Sequence, residues 1–217
     1  MQKPTNLLAL LFLLAFTFSA HTQSIGPKVG VNIGSWGGDD IFDDADYGSI
    51  TGLQFGAVAV IPVSDKFAIQ PELVYLQKGS SFEFDFLGDK IESNTTLNYL
   101  EIPILARINV TDGPTQIFIN AGPSIGFGLS GTISSESGGE ESEVDIDFDE
   151  DGISSFDFGL AVGAGVQLEV GPGQIFFDVR YLLGLANLDD SEPEDEQIDV
   201  FNRGIGASVG FLFPIGQ

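Results

Sequence analysis

Apolar residues alternate with polar or small residues along most of the chain. The clearest case is residues 155–170, where Phe, Leu, Val or Ala occupies every second position from Phe156 to Val170. A period of two over this length predicts a β-strand. An ordinary globular strand has about 5 or 6 residues, whereas a membrane-spanning strand needs about 9 to 11. The pattern therefore favours strands that cross a membrane.

The same alternation recurs in seven further segments, and no helical period follows the N-terminal stretch. The eight predicted strands cover residues 28–34, 52–61, 67–78, 99–108, 116–127, 155–170, 175–184 and 204–213. Three connections are short and rich in turn-forming residues, at 62–66, 110–114 and 171–173, and four are long and polar, at about 37–49, 79–96, 130–154 and 187–200. This layout is typical of outer-membrane barrels. The sequence predicts an all-β fold: an eight-stranded antiparallel up-and-down transmembrane β-barrel with short periplasmic turns and long extracellular loops.

The identity of the second face indicates which side of each strand looks outward. That face is mainly Gly, Ala, Ser, Asn and Gln, whereas a soluble barrel needs an outer face rich in charged residues. The interior of an eight-stranded barrel is just wide enough for its own side chains. We therefore expect the apolar face to contact outer-membrane lipid and the small or polar face to fill a closed lumen.

Acidic residues dominate the long connections. The 217 residues include 8 Lys+Arg and 32 Asp+Glu, a formal net charge of −24, and 25 of the acidic residues fall in the four long connections. This charge excludes a nucleic-acid-binding surface. The hydrophobic fraction of 43% argues against a disordered acidic chain. We expect acidic extracellular loops, which could recruit an envelope protein or a surface polymer.

The N-terminus has the pattern of a Sec-type signal peptide. Lys3 precedes an apolar stretch at 7–16, which is shorter than the roughly 20 residues of a membrane-spanning helix. We predict a cleaved signal peptide over residues 1–22, with cleavage after Ala20 as the alternative, and one barrel domain over residues 23–217. The expected location is the cell outer membrane.

Six charged residues take inward positions in the predicted strands: Glu72, Lys78, Glu101, Arg107, Asp178 and Arg180. A lone buried charge costs several kcal/mol, so these side chains must be paired. We predict a network of ion pairs that plugs the lumen, with Arg107 and Arg180 pairing with Glu72, Glu101 or Asp178. The alternative is a lumen that conducts protons or ions.

A short acidic segment matches the first half of a calcium-binding loop. Asp147, Asp149 and Asp151 alternate and are followed by Gly152, but Phe158 stands at the twelfth position, where such a loop has a glutamate. The sequence favours a solvated acidic loop here, with a weak Ca²⁺ or Mg²⁺ site as the alternative. No other cofactor is expected.

The residue content leaves little for catalysis. There is no Cys, and the single His, His21, falls in the predicted signal peptide. This excludes thiol chemistry, Ser–His catalysis and His-ligated zinc in the mature chain. We find no constellation for carboxylate or Ser–Lys catalysis, so the sequence predicts a protein that is not an enzyme.

Five sequence blocks carry a family resemblance: GPKVGVN (26–32), QPELVYLQKG (70–79), NYLEIPIL (98–105), NAGP (120–123) and DVRYLLGL (178–185). With these blocks the chain resembles the PorT-like outer-membrane β-barrel family over nearly the whole mature sequence. The resemblance implies an outer-membrane barrel with long surface loops. The type member of that family is linked to protein secretion across the outer membrane.

These observations lead to one expected function and two alternatives. The first expectation is a structural or interaction role without catalysis, as a monomer, because a closed barrel has no edge strand that requires a partner. The first alternative is an accessory to protein secretion or transport across the outer membrane. The second alternative is a soluble periplasmic ligand-binding barrel.

Overall fold

A computed structural model describes residues 23–38, 46–86, 89–137, 140–148, 150–191 and 198–215. The predicted signal peptide lies outside these ranges. The strands described are β1 (Gln23–Gly37), β2 (Asp46–Pro62), β3 (Phe67–Phe86), β4 (Asp89–Asn109), β5 (Thr115–Ser137), β6 (Glu140–Ile146), β7 (Phe156–Val170), β8 (Gly173–Gly184) and β9 (Phe201–Ile215). Across the same ranges, no helical segment has both the length and the hydropathy needed to cross a bilayer.

Eight of the strands form a closed antiparallel ring. Each of β1 to β5 pairs with the next strand along the chain, β5 pairs with β7, and β7, β8 and β9 follow in order. The ring closes where β9 pairs with β1, for example Val29 opposite Val209. These eight strands contain the eight predicted segments, which confirms the all-β antiparallel architecture. The prediction missed β6, which pairs with β5 outside the ring.

The two faces of the ring have the predicted polarity. Val162 is 56% exposed and Phe177 is 49% exposed on the outside, whereas Gln167 is only 6% exposed on the inside. Other outward apolar side chains with at least 36% exposure include Val29, Ile33, Leu53, Phe55, Leu73, Ile104, Ile119, Leu160, Val179, Ile205 and Val209. The period of two in each strand thus places large apolar groups outside and hydrogen-bonding groups inside.

The interior also contains two apolar clusters, which the prediction of a small and polar lining did not include. One lies towards the short turns and consists of Val58, Val60, Ala68, Phe118, Phe176 and Leu212. The other lies towards the long connections and consists of Leu97, Tyr99 and Ile146, packed against Trp36, Ile133, Phe148 and Ile153. Glycines make room for the rings, since a Cβ on Gly165 or Gly210 would meet Phe118 or Phe176 at 2.3 Å.

Two of the four predicted long loops are largely strand. β3 and β4 continue through most of 79–96, and β5 and β6 through much of 130–154. The reason is visible in the side chains, because acidic residues there alternate with apolar ones such as Phe82, Val144 and Ile146. The charge of these segments hid a strand period. Five strand ends thereby continue past the ring as one sheet, formed by residues 46–49, 80–86, 89–98, 130–137 and 140–146, which we call the protruding sheet.

One row of the protruding sheet is acidic in every strand. The register places Asp46, Glu83, Glu92, Glu136 and Glu141 directly opposite one another, from β2 to β6. Glu92 is five positions from the inward Leu97, so this row lies on the outward face. Neighbouring strands are about 4.8 Å apart, and like charges directly opposite destabilise a sheet. We call these five residues the acid row.

Candidate functional site

The ring encloses eight charged side chains in the described part of the chain, each at most 8% exposed. Four cations balance four carboxylates: Lys28, Glu72, Lys78, Glu101, Arg107, Asp157, Asp178 and Arg180. All six predicted residues lie among them. The sequence prediction omitted Lys28 and Asp157, although both occupy inward positions of predicted strands. The alternation of apolar and polar residues in these two strands was enough to assign both side chains to the inward face.

Glu72 on β3 is the centre of the first group. Its Oε2 accepts a bond from Lys28 Nζ at 3.0 Å and one from Arg180 Nη1 at 2.9 Å, while Arg180 Nη2 donates to Oε1 at 2.7 Å. Gln70 Nε2 donates to the same Oε1 at 2.7 Å. The two bonds from Arg180 form a bidentate pair, the strong form of a charge-assisted hydrogen bond. Strands β1, β3 and β8 are therefore tied together across the lumen.

Asp178 completes this group from β8. It pairs with Arg180 two positions along the same strand, and it accepts a hydrogen bond from the Ser208 hydroxyl of β9. Two cations, Lys28 and Arg180, thus face two carboxylates, Glu72 and Asp178. Since every charge has an opposite charge beside it, the desolvation cost of this group is offset locally.

Lys78 on β3 organises a second group nearer the long connections. Its ammonium pairs with Glu101 and lies 2.8 Å from Asp157 Oδ2. Ser124 Oγ donates to Glu101 Oε2 at 2.9 Å, and Asn202 Nδ2 donates to Asp157 Oδ2 at 2.9 Å. One cation here faces two carboxylates, so this group carries one surplus negative charge.

Arg107 does not pair as predicted. Its partners are side-chain amide oxygens: Asn109 at 3.2 Å, Gln70 at 3.4 Å and Gln167 at 2.7 Å. Its guanidinium lies 3.7 Å from the centroid of the Phe118 ring. Glu72, Glu101 and Asp178 pair with other cations, and Gln70 and Gln167 accept hydrogen bonds from Arg107 instead. Arg180, by contrast, pairs with Glu72 and Asp178, as predicted.

The spaces between these groups are small. One cavity beside Lys78 and Asp157 and another beside Glu72 and Arg180 each measure about 20 Å³. A cavity of this size holds about one water molecule. With an apolar cluster towards each end, the interior has the geometry of a plug.

The predicted calcium segment forms a local turn in its described part. Asp151 N–H donates to the Asp147 carbonyl at 2.9 Å, and Asp151 Oδ2 accepts from Asp147 N–H at 2.8 Å. Asp149 lies outside the described residues. Within the described ranges, no group of three or more His, Cys, Asp or Glu residues is arranged to hold a metal ion. Calcium binding here stays a prediction.

Comparison with protein families matches residues 16–190 to the outer membrane protein beta-barrel domain. The chain belongs to this family. The match spans most of the chain, and it agrees with the closed ring and the outward apolar face. Comparison with curated proteins gives no match.

Several solved structures are similar. OprG from Pseudomonas aeruginosa has 12% sequence identity and a TM-score of 0.53, over 92% of this chain and 98% of that chain. Ail of Yersinia pestis, in complex with the heparin analogue sucrose octasulfate, has 15% identity and a TM-score of 0.44, over 89% and 100%. Neisserial surface protein A has 15% identity and a TM-score of 0.41, over 86% and 95%. At these identities the likeness to OprG concerns the fold alone.

The family is one of outer-membrane barrels, which implies that this protein lies in the outer membrane. The outward apolar side chains then face lipid, and the alternative of a soluble periplasmic barrel falls away.

Proposed function

We propose that this protein is a non-catalytic interaction protein of the outer membrane. A plugged, monomeric barrel anchors it in lipid, and the protruding sheet presents an acidic face to a partner at the cell surface. The observation that carries this proposal is the acid row, in which the register of five strands places an acidic residue of each at one level.

The chemistry of the row favours a cationic polypeptide as the partner. Glu83, Glu92, Glu136 and Glu141 are exposed, and a groove of about 380 Å³ runs beside the last three. Aligning like charges costs stability, so an oppositely charged partner relieves repulsion when it binds. Complementary charge also speeds association, and salt weakens that effect.

The test measures binding of a lysine-rich peptide to the protein in detergent micelles, with the same peptide acetylated on every lysine as the uncharged probe. The triple variant Glu92→Gln, Glu136→Gln, Glu141→Gln should bind the lysine-rich peptide about tenfold more weakly. The matched control, Asp65→Asn, Asp112→Asn, Glu169→Gln, removes the same number of exposed carboxylates at the short-turn end. It should bind like the wild type. Equal losses in both variants would mean that only net charge matters, and the proposal would fail.

A second candidate is the PorT-like role in protein secretion. It is favoured by the five resembling blocks, because they contain six of the eight lumen charges, including Lys28, Glu72 and Arg180. The shared feature is therefore the interior of the barrel. A deletion strain should then accumulate unsecreted proteins in the periplasm, and a gene copy carrying Glu92→Gln, Glu136→Gln and Glu141→Gln should restore secretion. Normal secretion in the deletion strain would exclude this role.

A further inference from the structure

A cavity of about 300 Å³ opens at the short-turn end of the ring, which is the predicted periplasmic end. Its polar lining includes Asp65, Arg107, Asn109, Gln116, Gln167 and Gln174, and part of its wall is apolar, from Val60, Pro62 and Ala68. We call it the vestibule. Its volume is at the small end of the range for ligand pockets, and pockets of this kind combine apolar walls with a few convergent polar groups.

Arg107 is the unusual residue of the vestibule. It is only 2% exposed, and it makes no ion pair with any described carboxylate. The other seven lumen charges form two groups. In the Glu72 group the cations and carboxylates are equal in number, and in the Lys78 group there is one carboxylate more than there are cations. Glu101 and Arg107 are six residues apart on β4, which is about 20 Å along a strand. The surplus charges within the lumen are therefore separated, with the buried Arg107 at the inner end of the vestibule and the exposed Asp65 carboxylate elsewhere in its lining.

The guanidinium also has unused hydrogen-bonding capacity. An arginine has five N–H donors, and Arg107 uses three of them, towards Asn109, Gln70 and Gln167. The Phe118 ring, 3.7 Å away, holds the guanidinium in place. Buried arginine is ordinarily paired with an anion, because an uncompensated buried charge is strongly unfavourable. The vestibule thus combines an unpaired buried cation, free donors and open volume.

We propose that the vestibule binds a small organic monocarboxylate, with Arg107 as the anion-binding residue. A carboxylate matches the fork of a guanidinium, and a single negative charge suits a cavity lined by one guanidinium and the Asp65 carboxylate better than a phosphate dianion does. The amides of Gln116 and Gln174 are placed to bond polar groups of the ligand, and Val60 and Ala68 provide apolar contact for its carbon chain. Because the vestibule is open to solvent, salt screens the attraction between Arg107 and the carboxylate, and binding should weaken as the salt concentration rises.

The test is calorimetric titration of the full protein, refolded into detergent micelles, with sodium butyrate. Butyramide, which has nearly the same shape without charge, and sodium phosphate are the comparison probes. Heat-modifiable migration on gels verifies that each variant has folded. Butyrate should bind at millimolar concentration or below, butyramide should give no heat, and phosphate should bind more weakly than butyrate.

Two variants and one control assign the site. Arg107→Gln should weaken butyrate binding at least tenfold, and Gln174→Trp, which narrows the mouth and leaves Arg107 with its own partners, should do the same. Arg203→Gln is the matched control, because Arg203 lies at the other end of the ring and donates to the Gly184 carbonyl. It should bind butyrate like the wild type.

Three results would overturn the proposal. They are no butyrate heat from the folded wild type, unchanged binding by both vestibule variants, and tighter binding of phosphate than of butyrate. The vestibule and the acid row lie at opposite ends of the barrel, so this result is independent of the peptide-binding test above.

Discussion

Glu72 shows how one buried residue can depend on several strands. It has two cations and one amide as partners, contributed by β1, β3 and β8, and its side chain is inaccessible to solvent. Removing one partner of such a group leaves a charge uncompensated in a dry interior, which is costly even when the intact pair contributes little net stability. The lumen network is therefore best tested by removing single charges and then restoring balance.

Replacing Arg180 by leucine should destabilise the barrel by about 3–5 kcal/mol, because Glu72 keeps only Lys28 and Asp178 loses its cation. The free energy of unfolding can be measured by urea titration, with the single Trp as the fluorescent reporter. Adding Asp178→Asn to Arg180→Leu should recover part of the loss, since Lys28 and Glu72 then remain as a matched pair. An Arg180→Leu protein as stable as the wild type would contradict the network.

At the scale of elements, the outer parts of β3 to β6 combine two demands. Their inward positions carry the partly or fully buried Phe82, Ile133 and Ile146, which extend the alternation of the ring, and their outward positions carry the acid row. Val144 on the same face as Ile146 is 58% exposed. The backbone ladder and the inward packing hold the sheet together although its outward charges repel. This part of the molecule should therefore open more readily than the ring.

Glu136 is the best position to measure that repulsion, because it is opposite Glu92 on one side and Glu141 on the other. Glu136→Gln should slow hydrogen exchange of the β5 and β6 amides in the protruding sheet about two- to fivefold, since two like-charge contacts are lost. The gain should shrink at high salt. Glu169→Gln, which removes an exposed charge from the end of β7 away from the sheet, should leave these rates unchanged. Equal slowing by both variants would show that the alignment has no local effect.

At the scale of the whole molecule, the interior consists of layers that close the ring. The apolar cluster around Phe118 and Phe176 lies towards the short turns, the two charged groups follow, and the cluster around Tyr99 lies towards the long connections. An eight-stranded ring has little room to spare, and these side chains occupy it. The vestibule ends at Arg107 and is not part of a channel.

Planar-bilayer recordings should therefore show no steps of open-porin size for the wild type. The variant Phe118→Ala, Phe176→Ala should also lack them, because the charged groups still close the lumen after the two rings are removed. Heat-modifiable migration of the same samples verifies that folded barrels were present. Porin-sized steps from either protein would refute the closed lumen.

The sequence by itself determined the strands of the ring, the polarity of their faces and the inward position of the charged residues. The reason is that a strand of a membrane barrel has one face towards lipid and one towards the lumen, so apolar and polar residues alternate along its sequence. The outer parts of β3, β4 and β5 and the whole of β6 were not predicted as strand. Acidic residues at their outward positions resemble the composition of a loop when each segment is considered alone.

Only the tertiary structure decided which charges meet. Arg180 reaches Glu72 across 108 positions of sequence, whereas Arg107, with the same chemistry and the same inward orientation, meets side-chain amides and the Phe118 ring but no carboxylate. The acid row likewise exists only because five separate strands share one register. Alternation specifies the face of a side chain but not its height along the barrel, and the height depends on how neighbouring strands are offset when the ring closes.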